Sequence, residues 1–391
     1  MHDVNKGRDP SLSRYDADAA EHEYVEDLER ITESDADQFL NVGVDTHETI
    51  RSGSFIQKDK SVIHCKSCQA GVEIMGISEA VARHEWLPNY LWKNVSPDKD
   101  EYTRRVKEIP HEGYFIRSQP GAVIREPVQA CLYIAKENFS QHVHNLVIAE
   151  ENSELHIITG CATAPHLVSG LHVGVSEFYV KKGAKLIFTM IHDWGEQVNV
   201  RPRTVTRVEE GGVIISNYIS LKPVGSLQMF PTTYLEGRGA VGRFNSILVA
   251  AAGTHMDVGS RIVLEAPEAR AEIISRAITT GGTIIARGDL IGKAPGIKAH
   301  LECKGLILNN GIMQAIPELT GHVPGVEMSH EAAVGKIDKR EIEYLMARGL
   351  DEEAAVSTIV RGFLNVDIQG LPPKLKERLD QAIAETQKDM M

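Results

Sequence analysis

Between about Gly113 and Glu327 the chain is a succession of short β-branched apolar runs broken by glycine, asparagine or proline: NLVIAEENSELHIITG, SEFYVKKGAKLIFTMI, TVTRVEEGGVIISNYIS, SRIVLEAPEARAEIISRAI and GGTIIARGDLIG. Runs of this kind predict strands, with no convincing helix among them. Many share one form, an apolar strand, an acidic or glycine turn and a second apolar strand, as in AEENSELHII, VKKGAKLIF and VEEGGVIIS. Degenerate repetition at similar spacing is what stacked coils require, so the pattern predicts a β-solenoid. A sandwich or barrel is the alternative that periodicity leaves open.

On either side the period changes. Residues 1–110 are charge-rich, and YDADAAEHEYVEDLERI and SEAVARHEWLPNYLWKNV repeat apolar positions every three or four residues, which predicts a helical N-terminal region. Beyond Val334, DKREIEYLMARGLDEEAAVSTIVRGFL reads as two amphipathic helices, Gly349 stopping the first and Asp351 capping the second. LPPKLKERLDQAIAETQ reads as a third helix, its paired prolines near the start. The chain thus divides into residues 1–110, 111–327 and 328–391.

Composition narrows the class. The 391 residues are 42% hydrophobic, enough for one sizeable core or a few smaller ones, and the formal charge of -12 argues against a nucleic-acid ligand. No apolar run is long enough to span a bilayer, and the first thirty residues are polar and unlike a signal peptide, so a cytoplasmic protein is expected. The five cysteines, Cys65, Cys68, Cys131, Cys161 and Cys303, are odd in number and widely spread, which is not a disulfide framework.

Several residues could carry chemistry. Cys303 in HLECKGLIL is a core residue or a metal ligand, and Cys161 in TGCATAP is a packed corner or a reactive thiol. His330 and Glu331 are adjacent; on a strand they face opposite sides, and at a helix start they point toward a common neighbour or cap the helix. Cys65 and Cys68 form a CxxC beside His64, a zinc or redox pair without a second CxxC to complete it. His142 and His144 share a strand face and chelate a metal only if a third ligand comes near; His156, His166, His172 and Glu177 surround Cys161 in sequence. GRGAVG at 237–242 leads into a strand instead of a helix and is a turn, and GDLIGKA at 288–294 lacks the spacing of a phosphate loop, so the chain is not itself an ATPase.

Arg287 and Gly288 followed by Cys303 before an apolar run, then His330 and Glu331, Gly335 through Asp338 and a Tyr-Leu-x-x-Arg-Gly helix, resemble the SufB/SufD family over roughly residues 110–370. His172 and Glu177 also match that family's pattern. The resemblance implies a right-handed parallel β-helix with helical flanks and a scaffold, not an enzyme, on which a transient iron–sulfur cluster is built. It implies that Cys303, with His330 and Glu331, holds the nascent cluster, and that Cys161 accepts sulfur for relay as a persulfide. Implied partners are a SufC-type ABC ATPase, which alone binds ATP and docks on residues 340–370, a second copy or a SufB/SufD paralogue as dimer mate, a sulfur donor and apo iron–sulfur proteins. Bacterial relatives divide the cysteine and a functional histidine between unlike subunits, whereas this chain carries both, so a homodimer suffices. Two other readings stay open: a non-catalytic adaptor of the ATPase, and a polysaccharide lyase, for which aromatics at 6% are few.

Overall fold

The computed structural model describes residues 9–47 and 51–364, together with Glu377 and Gln381. Two sheets, of 10 and 11 strands, face each other, and their strands alternate along the chain so that each circuit adds one layer to both. Gly242, Ala271, Ala299 and Met328 stand side by side in register, so one coil takes 28 or 29 residues. This is a β-solenoid of about eight turns, with five helices mostly at its ends. The sandwich and barrel alternatives fall because successive strands on one sheet are parallel and in register, which hairpin connections cannot produce.

The repeated turn read from the sequence is a stacked corner. Gly183, Gly211, Gly239, Glu268, Gly296 and Gly325 all sit at φ of +62° to +80°. The N–H of each of the first five donates to a corner carbonyl one coil further on, for example Gly211 to Arg238 at 3.0 Å and Gly296 to Gly325 at 3.1 Å. A left-handed corner favours glycine because a Cβ crowds the backbone there, and it explains the GRGAVG turn. Inside, side chains alternate inward and outward, and the column Leu155, Leu186, Ile214, Gly242, Ala271, Ala299 is buried throughout. Each large aliphatic side chain so buried contributes about 1.5–3 kcal/mol.

The N-terminal 110 residues differ from their expected helical character. Three strands lie there: Gly53–Lys58 pairs in parallel with Val128–Ile134 and antiparallel with Ser61–Ser67, and Val72–Gly76 pairs antiparallel with Tyr114–Ser118. The segment 15–31 is not a helix but a strap whose side chains reach the first coils, through Asp18 and Glu21 to Lys60, His22 to Asp59 at 2.8 Å and Tyr24 Oη to the Cys65 carbonyl at 3.0 Å. Tertiary pairing overrides the helical period because these charges find fixed partners across the chain. Three helices are present in this region, α1 (Glu33–Asn41), α2 (Ile77–Arg83) and α3 (Glu101–Glu108). At the other end the last strand, Glu327–Gly335, runs past the expected boundary at 327, and α4 (Lys339–Met346) and α5 (Glu352–Leu364) follow. Asp351 caps α5 through Ala354 N–H at 2.7 Å, and Gly349 ends the α4 segment at φ +97°. The third expected helix, 371–387, lies almost wholly outside the described residues.

Polar groups that enter the walls are matched. Glu177, on the strand Ser169–Val180, is fully buried and accepts from the N–H groups of Trp92 (2.5 Å), Lys93 (2.8 Å), Asn94 (2.6 Å) and Val95 (3.2 Å) and from His144 Nε2 (2.8 Å). One carboxylate thereby fastens the loop before α3 to the sheet. His142 stacks on His111 with ring centroids 4.6 Å apart and bonds Ser140 Oγ at 2.6 Å, so the His142–His144 pair is built into the wall. Burial first of all holds the pKa of His142 and His172 down to about 3 and that of His156 to about 4.

Replacing Glu177 by Ala is expected to destabilise the protein by about 3–5 kcal/mol, because a buried charge-assisted cluster loses its only acceptor; chemical denaturation measures it, and a loss below 1 kcal/mol counts against this role. The histidines set a pH dependence: unfolded, they titrate near 6.5, so below that pH the unfolded chain binds the extra protons. Stability is therefore full above about pH 6.5 and falls as pH drops toward 4, by up to ~1.4 kcal/mol per pH unit per histidine. Denaturant midpoints between pH 7 and 5 should show the decline, and His156→Gln should flatten it.

Candidate functional site

Cys303 lies on the strand Lys298–Ile307, where burial alternates residue by residue, and its thiol faces the solenoid interior, fully buried. Burial chiefly, then the neighbouring Glu302 charge, pushes the thiol up to about 11. In register, Cys303 stands between Ser275 and Ala332, and Leu301 opposite His330. Because in-register residues share a face, His330 points to the same side of the sheet as Cys303, one strand over and diagonally displaced. The final strand has no further coil against it among the described residues, and His330 is exposed.

Glu331 takes the opposite, outward face. It stands beside Glu302, and Lys304 Nζ bridges the two carboxylates at 3.2 Å each, with Arg276 also on Glu302. The strand Glu327–Gly335 thus brings His330 to the cysteine and turns Glu331 to a charged network on the other side. The helix-start geometry, in which both converge, does not occur, because the parallel ladder with Lys298–Ile307 holds these residues extended.

Cys161, on the strand Glu154–Thr163, is likewise fully buried, faces inward, and its thiol is pushed far up by burial. Its register neighbours are Leu132 and His192. Five strand spacings separate its strand from that of Cys303, on the order of 24 Å. The inward column next to Cys161 reads Thr159, Met190, Tyr218, Ser246, Ser275 and then Cys303 itself. Tyr218 Oη meets His192 Nδ1 at 2.7 Å, and Ser246 Oγ donates to Ser275 Oγ at 3.0 Å. A cavity of about 60 Å³ opens along the same column, touching Met190, Tyr218, Ser246 and Ser275, which is room for about two waters. The inward file that ends at Cys303 and runs beside Cys161 therefore carries Thr159, Tyr218, Ser246 and Ser275, interrupted by Met190, inside a largely apolar core.

His192 and Trp194 belong to this arrangement and were not singled out as site residues from sequence. Their rings lie 5.4 Å apart, and His192 Nε2 and Trp194 Nε1 are buried without a hydrogen-bond partner among the described residues. Burial keeps His192 well below the usual imidazole range, hence neutral. The signal that finds them is the coil period: His192 is the register partner of Cys161, and Ser275 that of Cys303.

The remaining candidates separate. Cys65 Sγ lies 3.5 Å from the Ile74 carbonyl and burial pushes its thiol up to about 12, while Cys68 is exposed in the following turn. His64 is used elsewhere, on Ser54 Oγ at 2.8 Å and the Val25 carbonyl at 2.9 Å. His172 bonds Gln141 Oε1 at 3.0 Å and His166 is exposed at a corner. Among the described residues no three His, Cys, Asp or Glu side chains of one chain converge as a metal site.

Residues 132–363 match the family described as "SUF system FeS cluster assembly, SufBD core domain". The chain is similar to an iron–sulfur cluster assembly SufBD family protein of Archaeoglobus fulgidus, 50% identical over 358 residues, covering 91% of this chain and 96% of that one. It is 49% identical over 389 residues to a SufBD family protein of Methanothermobacter thermautotrophicus, covering 96% and 95%. With the iron–sulfur cluster assembly protein SufB of Bacillus subtilis it shares 30% identity over 320 residues, 80% of this chain and 68% of that one. A core match of this extent, with relatives about half identical along nearly the whole chain, places the chain in the SufBD family of iron–sulfur cluster assembly proteins.

Proposed function

We propose that this protein is a scaffold on which a nascent iron–sulfur cluster is assembled as cargo and from which it passes to apoproteins. The observation that carries this reading is the inward column beside Cys161 that ends at Cys303 and holds Tyr218, Ser246 and Ser275. These polar groups stand in a largely apolar interior, where burying them costs free energy unless they are hydrogen-bonded.

In this reading Cys161 receives a sulfane sulfur from a donor persulfide. Burial keeps the Cys161 thiol protonated, so in the exchange its proton passes to the donor's leaving thiolate as one S–S bond forms and another breaks. Because the two thiols lie on the order of 24 Å apart, the sulfur does not pass by direct exchange: two electrons from an external reductant cleave the Cys161 S–S bond, leaving the Cys161 thiolate and freeing hydrosulfide, which travels along the file to Cys303. Cys303 and His330 then offer thiolate and imidazole to iron at the exposed end of the stack, ligand types that suit such a cluster. Glu331 joins them only if it leaves Lys304.

The end of the solenoid supports a dimer. Its last strands leave Ile312 63% and Val334 40% exposed, and a second copy or a paralogue pairing there brings two Cys303–His330 faces together. The α4 segment supports docking of a SufC-type ABC ATPase: Tyr344, Met346 and Leu350 are exposed, whereas α5 turns Ala355, Val360 and Leu364 inward. ATP acts only through that partner, by shifting the two scaffold copies relative to each other. Five free thiols fit a reducing, cytoplasmic setting, and no helix among the described residues is long and apolar enough to cross a membrane. The second reading, an adaptor of the ATPase with the cluster held by a paralogue, is favoured by one fact: Glu331 is engaged by Lys304 on the face away from Cys303.

Anaerobic reconstitution of the chain with its ATPase partner, read by iron, sulfide and visible absorption, separates the two. On the scaffold reading Cys303→Ser abolishes the cluster, Glu331→Ala weakens it, and Cys161→Ser blocks assembly from a persulfide donor; absence of any cluster in the unaltered protein selects the adaptor. A further expectation concerns the relay: Ser275→Val, which removes the hydroxyl beside Cys303, should slow persulfide-fed assembly while leaving the melting temperature within a few degrees.

A further inference from the structure

The wall of the solenoid is broken at one place. In two consecutive coils the strand on the 11-stranded sheet is split, into Gln197–Val200 and Arg203–Val208, and into Ser226–Met229 and Thr232–Leu235. Pro202 and Pro231 stand in the two splits, and neither has an N–H for the ladder. The coils pair from Asn199/Ser226 to Val200/Leu227 and again from Val205/Thr232, so residues 201–204 and 228–231 face each other without ladder bonds. The strands on either side, Ser169–Val180 and His255–Leu264, run past unbroken and frame the gap.

The lips of this gap line the cavity beside the cysteine file. Thr204, Met229 and Pro231 touch the same 60 Å³ space as Ser246 and Ser275. The three lip residues are partly exposed, and so are Met190 and Ser246 of the file. Arg287 also reaches the cavity; Nε and Nη2 are given to Asp257 at 2.5 and 3.0 Å, and Nη1 makes no hydrogen bond among the described residues. Arg203 crosses the gap to Gln228 Oε1 at 3.0 Å and is tied to Asp100 at 2.5 Å. The opening is therefore small, lined mainly by apolar groups such as Met229, Pro231 and Phe178, and bordered by Arg203, whose guanidinium is balanced by Asp100, which suits a water-sized solute, neutral above all, and excludes a protein side chain.

We infer that this break is a side portal through which inorganic sulfide, as H₂S or HS⁻, reaches the chamber next to Cys303 without passing Cys161. The inference rests on the scaffold reading for its cargo, but the passage itself does not. Ser275, the strand neighbour of Cys303, forms the inner wall of the chamber, which Arg287 of the strand Thr283–Gly292 also lines. Sulfide arriving this way is already at the oxidation level of the cluster, so no electron donor is needed for that step.

Hydrogen peroxide, similar in size to hydrosulfide, probes the passage independently of assembly. Oxidation of Cys303 in the full chain, followed by mass spectrometry of its peptide, should slow about tenfold in Thr204→Phe and quicken several-fold in Met229→Ala, a barrier change on the order of 1.4 kcal/mol. Equal rates in the unaltered protein and Met229→Ala overturn the portal, as do equal rates in a folded Thr204→Phe. In a Cys161→Ser background, assembly from ferrous iron and sodium sulfide should persist and follow the same order. If peroxide rates change as expected while no variant forms a cluster, the passage stands and the scaffold reading fails.

Discussion

Parallel, in-register hydrogen bonding between successive coils is the constraint on which everything else in this molecule depends. Once Gly242, Ala271, Ala299 and Met328 are locked side by side, every inward position of one coil is placed against the matching position of the next. A shift of one residue in any coil turns its whole apolar set outward, so the register is enforced by the core as well as by the ladder. Residues far apart in sequence thereby become neighbours at strand spacing, and a polar side chain repeated at the coil period becomes a continuous line.

That constraint also decides what the sequence could disclose. The strand runs, the corner turns and the helical tail were legible because each is a local pattern: β-branched residues, glycine at left-handed corners, and Asp351 ahead of an amphipathic run. The N-terminal strands were not, because GSFIQK and SVIHCKS are short and their pairing with Val128–Ile134 is a tertiary fact. The strap at 15–31 imitated a helix through spacing alone, while its acidic residues are bound to Lys60 and to neighbouring coils.

Within the candidate site, the cysteines could be marked from sequence and the company they keep could not. Cys303 and His330 share a face and Glu331 does not, a distinction of parity that follows from strand geometry once the strand is known to continue to Gly335. His192, Tyr218, Ser246 and Ser275 are ordinary residues in ordinary runs, and only the coil register collects them between the two thiols. Thr204, Met229 and Pro231 were still less visible, since the gap they border is an absence of pairing.

The two ends of the stack are unlike. At the start, an antiparallel hairpin and the strap, whose Val25 N–H donates to the Ile63 carbonyl at 2.7 Å, turn the first layer away from further parallel addition. At the finish, Glu327–Gly335 and Ile312–Gly321 are borders with one side unpaired among the described residues. The head thus ends in antiparallel strands partly covered by the strap, and the tail in parallel ones, so among the described residues the ladder that builds the stack is offered for continuation at the tail alone.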